Sequence, residues 1–236
     1  VEEAARQTDG RISIIERAGY EDAEYITLIM NTNGLYASAK GNFSGIYIYL
    51  AAEEKGDAQT GFAMCMSKWF KDLQPIKVGR EAAANAIRSL HARNIDSAVI
   101  PCVMEPYVVT QFMTILSRMV NAETVQKGKS LLAGKIGQKI ASTSFHLVDD
   151  VTRADGTACF PFDDEGVPTR CNQIISRGVL NHYLYDTYSA ARDGVTSTGN
   201  ARRASFRSLP GVGSSNFMVL PAANSTESLI AGIGKG

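Results

Sequence analysis

Alternating apolar and polar residues between Tyr25 and Ser67 constrain the fold more than any other feature of this sequence. The turn signal Asn31–Gly34 and a polar loop around Gly56 divide the stretch into β-rich runs. Alternation of this kind is typical of strands that bury only one face. The pattern therefore predicts an antiparallel meander, with strands at 25–30, 45–52 and 61–66.

Helical signals follow the meander. Residues 78–90 are rich in strong helix formers, and a helix is also expected at the N-terminus. Pro106 suits the first position of a third helix, where apolar residues recur at helical spacing up to Val120. Between these helices, the β-rich run 97–101 predicts a short strand.

Short strands with turn chemistry dominate after Gly128, including a predicted hairpin from Gln173 to Tyr185 around Arg177-Gly178. We expect an α+β fold in which the antiparallel meander and its helices precede a second, mixed and strand-rich domain. The predicted domains are 1–100 and 101–236. Because the chain begins without Met inside a predicted helix, we expect a fragment of a longer protein.

Composition excludes several classes of protein. The 236 residues are 44% hydrophobic, enough for a buried core, and 24 basic residues balance 24 acidic ones. No basic footprint favours nucleic acid, and no apolar run is long enough to cross a membrane. We expect a cytoplasmic protein with reduced thiols, two of them buried in apolar runs: Cys65 and Cys102.

Residue types and spacing alone identify no reaction centre. None of the three histidines lies within seven positions of another, so no helical zinc pair exists. No GxSxG nucleophile elbow is present. The acidic run Asp163–Glu165 before Gly166 is compatible with a solvated turn or with oxygen ligands for a cation.

The stretch from Lys127 to Arg203 carries an ordered set of motifs. Asp163-Asp164-Glu165-Gly166-Val167-Pro168-Thr169 is similar to a DDEG-(V/T)-PT signature, and Thr198-Gly199-Asn200-Ala201-Arg202-Arg203 to a TGN-x-RR element. Lys127-Gly128-Lys129-Ser130, Asp149-Asp150 and the 174–185 hairpin match further elements in order. The chain thus resembles the TldD/PmbA family of metalloproteases, also labelled modulator of DNA gyrase.

The resemblance implies a two-domain α+β protein, and a catalytic subunit that carries HExxxH on a helix. Counted from Lys127, the three motif positions fall on Met113, Thr114 and Arg118. A thioether, a hydroxyl and a permanent cation cannot hold zinc and activate water. The resemblance therefore points to the metal-free TldE/PmbA-type subunit, with no cofactor in this chain and zinc in its partner.

In this family the metal-free subunit pairs with a TldD-type subunit around a proteolytic chamber for unfolded or modified peptides, where a peptide pairs with a strand edge. The resemblance implies a peptide substrate and a partner subunit, either the TldD-type subunit in a heterodimer or a second copy in a homodimer. Without a TldD-type partner the chain is expected to be inactive. The resemblance also implies eight residues that shape the chamber or the interface: Asp163, Asp164, Glu165, Thr198, Gly199, Asn200, Arg202 and Arg203.

Structural roles for the same residues stay open: a backbone angle at Gly199, a turn at Asn200, and pairing of the two arginines with the acids. Two other functions stay open as well. The chain could be a stand-alone peptide-binding module, or a hydrolase with a cryptic site built on a cysteine or on Asp163–Glu165. The balanced charge supports no direct role on DNA, so a link to gyrase would be indirect.

Overall fold

The computed structural model describes residues 1–234. Lys235 and Gly236, at the end of the glycine-containing tail, lie outside the described residues. Contacts divide the chain into two compact units. The first unit comprises Val1–Ile26 and Lys40–Ser97, and the second comprises Thr27–Ala39 and the residues from Ala98 onward.

Three long strands form the meander that the alternation predicts. They are β1 (Ile12–Met30), β2 (Tyr36–Glu54) and β3 (Asp57–Ser67), arranged in the order β1-β2-β3. β2 and β3 pair antiparallel from Ser44↔Ser67 to Glu54↔Asp57, so every second residue of β2 faces the same side. Ile46, Ile48, Leu50 and Ala52 are the buried set.

Two helices cover this buried face in the first unit. They are α1 (Glu2–Thr8) and α2 (Pro75–Ser89), and α2 follows a short 3-10 turn at Phe70–Asp72. α2 packs so closely on β3 that a Cβ at Gly61 would lie 2.1 Å from the Ala82 carbonyl oxygen. A side chain there would therefore push the helix off the sheet. In the first core, four residues of α2 pack against the buried residues of the strands. They are Val78, Ala82, Ala83 and Ala86.

The second unit is a mixture of short elements around a separate core. Its helices are α3 (Pro106–Met119), α4 (Ala122–Gln126), α5 (Thr187–Asp193) and α6 (Thr226–Ala231). Its strands are β4 (Leu147–Asp150), β5 (Cys171–Ser176), β6 (Val179–Leu180), β7 (Ala201–Arg202), β8 (Gly211–Val212) and β9 (Phe217–Val219).

The sheet order in this unit is β6-β5-β4-β9, and β7 pairs with β8 in a separate ribbon. Leu147, Ile174, Ile175, Leu180 and Leu184 are almost completely buried at the centre of the second core. The α+β fold with an antiparallel meander is confirmed. Among residues 1–234, no helix is both long and apolar enough to cross a bilayer.

Three local predictions were wrong. Residues 97–101 form no strand, because the run has β propensity but finds no strand to pair with. The 173–185 hairpin is shorter than expected, since its second strand ends at Leu180. Cys102 is exposed in the same irregular segment rather than buried, and Cys65 is half-buried.

His91 fastens the end of α2 to the β2–β3 turn. Its ring Nε2 lies 2.6 Å from a Glu54 carboxylate oxygen, and its backbone N–H donates to Asp57 at 2.5 Å. His91 has a φ of 58°, an uncommon angle for a residue with a Cβ. The hydrogen bond from His91 lowers the pKa of Glu54, with a further contribution from Arg11, and the His91 backbone N–H lowers the pKa of Asp57.

These lowered pKa values predict an acid-sensitive fold. The unfolded chain binds protons on Glu54 and Asp57 more readily than the folded chain does, so their contribution is complete above the ordinary carboxyl range. It is lost as the pH falls through the lowered folded pKa values. Urea midpoints between pH 7 and pH 3 should fall less steeply for Glu54→Gln than for the wild type, whereas exposed Glu53→Gln should follow the wild type. Parallel pH profiles for Glu54→Gln and the wild type would contradict the role of Glu54.

Candidate functional site

The acidic run at 163–165 forms a turn, but Asp163 is enclosed in it rather than solvated and organises the turn from inside. Asp163 is fully buried, and one of its oxygens accepts hydrogen bonds from the backbone N–H groups of Glu165 (3.0 Å) and Val167 (2.9 Å). The other oxygen accepts from the Ala201 N–H at 2.9 Å. Three backbone donors thus provide hydrogen bonds to both oxygens of this buried carboxylate. Asp163 therefore holds the turn against β7.

Asn200 is the centre of a second buried network. Its amide nitrogen donates to the Asp149 carboxylate at 2.6 Å and to the Gly213 carbonyl at 3.1 Å. Its amide oxygen accepts from Asn172 Nδ2 at 3.0 Å and from the Thr198 hydroxyl at 2.7 Å. All four hydrogen-bonding positions of the side chain are thus used.

Asp149 receives the rest of its hydrogen bonds from Ser215. The Ser215 N–H donates to one carboxylate oxygen at 2.7 Å, and the hydroxyl lies 3.0 Å from both oxygens. Asp149 is fully buried, and the Asn200 amide completes its shell of donors. The network therefore ties β4 to the residues on either side of the β7–β8 ribbon.

Gly199 requires a conformation that other residues avoid. Its φ is +74°, and a Cβ there would lie 2.8 Å from the Pro168 carbonyl oxygen. Thr198 beside it accepts the Tyr185 N–H at 2.7 Å. Thr198, Gly199 and Asn200 thus bring three chain segments together through one tight turn.

Asp164 and Arg203 lie on the outer side of the same loops. The Asp164 carboxylate accepts the Arg203 N–H at 2.6 Å, and Arg203 Nε donates to the Asp164 carbonyl at 3.2 Å. Arg203 Nη1 also donates to the Ser208 carbonyl at 2.5 Å. These contacts hold the exposed guanidinium beside the acid through main-chain groups.

Glu165 and Arg202 have different surroundings. The Glu165 carboxylate accepts the Thr187 N–H and hydroxyl, both at 2.8 Å, at the start of α5, where negative charge complements the helix dipole. Arg202 Nη1 donates to the Ala201 carbonyl at 3.0 Å. Its Nη2 is enclosed and has no hydrogen-bond partner among residues 1–234. Arg202 therefore keeps one buried donor without a partner among the described residues.

A cleft of about 520 Å³ opens beside this outer pair. One wall is the last part of β1, an edge strand of its sheet, and the other is the loop after β7. Phe206, 86% exposed, gives that loop an aromatic surface. Of the eight residues implied by the resemblance, two line the cleft, Asp164 and Arg203. The complete lining is Thr27, Leu28, Ile29, Met30, Asp164, Arg203, Ser205 and Phe206.

The positions of the family's metal motif lie on α3. Met113 packs against the second core, and the Thr114 hydroxyl donates back to the Thr110 carbonyl at 3.1 Å. Arg118 is exposed. These side chains do not fit a zinc ion, because none is an imidazole or carboxylate. Within residues 1–234, no three His, Cys, Asp or Glu side chains are grouped as metal ligands.

The thiol nearest the buried network is a poor nucleophile. Partial desolvation raises the pKa of Cys171, and the neighbouring Asp150 raises it further. The Thr152 hydroxyl in turn lowers the pKa of Asp150 by hydrogen bonding to it. A thiol is reactive only as the thiolate, so this environment disfavours attack by Cys171.

Some residues of the buried network and of the cleft carry no recognisable sequence motif. Asn172 and Ser215 complete the buried network, but isolated polar residues of this kind carry no motif. Phe206 could have been noticed as a lone aromatic residue in a polar loop. Nothing in the sequence indicates that Thr27 to Met30 form a wall of the cleft, because their pattern is that of an ordinary strand.

Comparison with known proteins places the whole chain in one family. Residues 1–90 match the PmbA/TldA metallopeptidase central domain, and residues 97–236 match the C-terminal domain of the same family. A metalloprotease TldD homolog of Haemophilus influenzae is 29% identical over all of this chain and 51% of its own length. Metalloprotease PmbA of Escherichia coli O157:H7 is also 29% identical, over 85% of this chain and 45% of its own length.

A crystal structure from Thermotoga maritima, described as a modulator of a DNA gyrase, superposes with a TM-score of 0.89 at 28% identity. The match covers 97% of this chain and 52% of that one. The chain thus spans about half the length of the curated relatives it matches. Both domain models and the shared fold agree: the chain belongs to the TldD/PmbA family of metallopeptidases.

Proposed function

We propose that the chain is part of a metal-free subunit of a TldD/TldE-type metalloprotease, which acts with a metal-bearing partner on unfolded or modified peptides. The observation that carries the proposal is the chemistry of Met113, Thr114 and Arg118 at the positions of the family's HExxxH motif. Equal identity to a TldD homolog and to PmbA does not separate the two branches, so these side chains carry the distinction.

The local structure of α3 supports this assignment. Met113 is directed into the second core, and Thr114 already donates its hydroxyl proton within the helix. Arg118 carries a guanidinium group, which has hydrogen-bond donors only and no lone pair to offer a metal ion. In this proposal a TldD-type partner subunit supplies zinc, and the protein works in the cytoplasm.

The cleft in the second unit supports a peptide as the ligand. An edge strand offers unpaired backbone groups to an extended chain. Phe206 adds an apolar contact, and Asp164 with Arg203 adds one charge of each sign. We assign peptide contact to Asp164 and Arg203, and positioning of their loops to Asp163, Glu165, Thr198, Gly199 and Asn200. We assign Arg202, which donates to the Ala201 carbonyl, to positioning of the same loops. The domain division near residue 100 stays a prediction.

A stand-alone peptide-binding module is the second candidate, because the features of the cleft that suit a peptide, an edge strand, an aromatic ring and one charge of each sign, need no metal ion. A cryptic hydrolase has less support. The raised pKa of Cys171 disfavours a thiolate, and hydrogen bonds from backbone groups occupy the acids at 163–165.

Mixing the full chain with a metal-bearing member of the family tests the proposal. We expect a stable complex by size-exclusion chromatography with light scattering, and hydrolysis of a reduced, unfolded protein by the mixture. EDTA should abolish that hydrolysis, since zinc supplies the activated water. The chain alone should show none.

Each subunit assayed separately is the control. Binding of a peptide by the chain without any complex would favour the stand-alone module. Hydrolysis by the chain alone in the presence of EDTA would overturn the proposal.

A further inference from the structure

A group of large apolar side chains is exposed on the first unit, and none of them lines the cleft described above. Trp69 is 57% exposed, Phe70 71% and Ile76 60%. Tyr20 braces Phe70 in an edge-on contact with ring centroids 5.8 Å apart. Exposed apolar side chains grouped within eight residues are uncommon on a surface that contacts only water.

A shallow groove of about 660 Å³ runs along the start of α2; Ile76 lines it, and Trp69 and Phe70 precede it in the chain. The opposite face of α2 is fully used by the first core, where Val78, Ala82 and Ala86 are buried. The outer face places Ile76, Arg80 and Ala84 one turn apart along the groove. The groove is lined by Gln74, Pro75, Ile76, Lys77, Arg80, Glu81 and Ala84.

The charge of this surface is unlike that of the whole chain. Residues 68–84 contain four basic side chains and two acidic ones, whereas the chain as a whole is balanced. The basic residues are Lys68, Lys71, Lys77 and Arg80. The first turn of α2 holds no acidic residue, so its positive dipole end adds to the same sign. A partner that complements this surface is therefore acidic.

We propose that this surface, defined by Trp69, Phe70, Ile76, Lys77 and Arg80, docks an acidic amphipathic helical segment of another protein. Apolar side chains of the segment pack on Ile76 and the two aromatic rings, and its carboxylates pair with Lys77 and Arg80. A bilayer fits less well. Asp72 and Glu81 lie among its basic residues and would face anionic head groups.

Trp69 makes the proposal directly measurable, because it is the only tryptophan in the chain. The full chain is titrated with an 18-residue amphipathic peptide of Leu, Ala and Glu that contains no tryptophan. We expect a saturable blue shift of Trp69 fluorescence, weakened by added salt. The same peptide with Lys in place of every Glu should bind at least tenfold more weakly.

Two surface variants and a control locate the site. Lys77→Glu combined with Arg80→Glu should weaken the acidic peptide at least tenfold, and Ile76→Ser should weaken it severalfold. Lys129→Glu, an exposed change in the other unit, should leave the affinity unchanged. Far-UV circular dichroism verifies that each variant is folded.

Three results would overturn the proposal. They are no response of Trp69 to the acidic peptide, equal binding of the Lys peptide, and an affinity that the double variant does not alter. A larger change in Trp69 fluorescence with phosphatidylglycerol vesicles than with the peptide would assign the surface to a membrane. That result would also overturn the proposal. None of these outcomes depends on hydrolysis or on the metal-bearing subunit.

Discussion

An Asn200→Asp variant is expected to lose about 3–5 kcal/mol of unfolding free energy at pH 7, because a buried charge without a compensating partner costs about that much. The substitution keeps the shape of the side chain but replaces the amide donor, 2.6 Å from the Asp149 carboxylate, with a second negative charge. Both positions are fully buried, so water cannot screen the repulsion. Urea unfolding at pH 7 measures the loss.

Asn200→Ala is the matched comparison. It removes all four hydrogen bonds of the side chain, including the two accepted by the oxygen that aspartate would keep, and leaves Asp149, Asn172 and Thr198 short of a partner, but it adds no charge. Its expected loss is about 2–3 kcal/mol, typical of buried polar groups left unsatisfied. Lowering the pH should reduce the difference in unfolding free energy between Asn200→Asp and Asn200→Ala, because the carboxyl group at position 200 can donate to Asp149 once it is protonated. An Asn200→Asp variant as stable as the wild type would refute the buried network.

An Arg203→Gln variant is expected to bind an unfolded peptide about ten- to a hundredfold more weakly, the effect of losing a charge-assisted hydrogen bond worth about 1.5–3 kcal/mol. The proposed ligand is an extended chain along the cleft, where Arg203 is the cationic group of the lining. Fluorescence anisotropy with a labelled, unstructured 12-residue peptide measures the affinity.

Two comparisons make this result specific. Arg192→Gln, which removes an exposed arginine that does not line the cleft, should bind like the wild type. Replacing the peptide's C-terminal carboxylate with an amide should reduce the difference between Arg203→Gln and the wild type. If Arg203→Gln and Arg192→Gln bind the peptide equally well, Arg203 has no role in recognition.

Much of the fold follows from local sequence. Alternation around Tyr47 and Tyr49 identifies β2, and Pro106 marks the start of α3, because strand period and helix start are local properties. The expected strand at 97–101 fails for a nonlocal reason: a strand needs a neighbour, and none pairs with it. Propensity alone does not reveal whether a neighbour exists.

The candidate site was only partly predictable. The ordered motifs identify Asp163 and Asn200 as candidate residues. The roles of these two residues, however, depend on hydrogen-bond partners that are distant along the chain. Ser215 reaches Asp149 across 66 positions, and Ala201 reaches Asp163 across 38. Such pairs arise from tertiary folding, which no spacing rule encodes. The cleft likewise depends on the edge of β1 meeting a loop that follows β7.

Nearby residues of the two motifs have different environments, since Asp163 and Asn200 are enclosed while Asp164 is half-buried and Arg203 is exposed. Tolerance to substitution should alternate in the same way along both segments. The enclosed members are fixed by the architecture, whereas the outward members can change charge or size at small cost to folding. Libraries that aim at new peptide preferences should therefore vary positions 164 and 203 and leave their inward neighbours untouched.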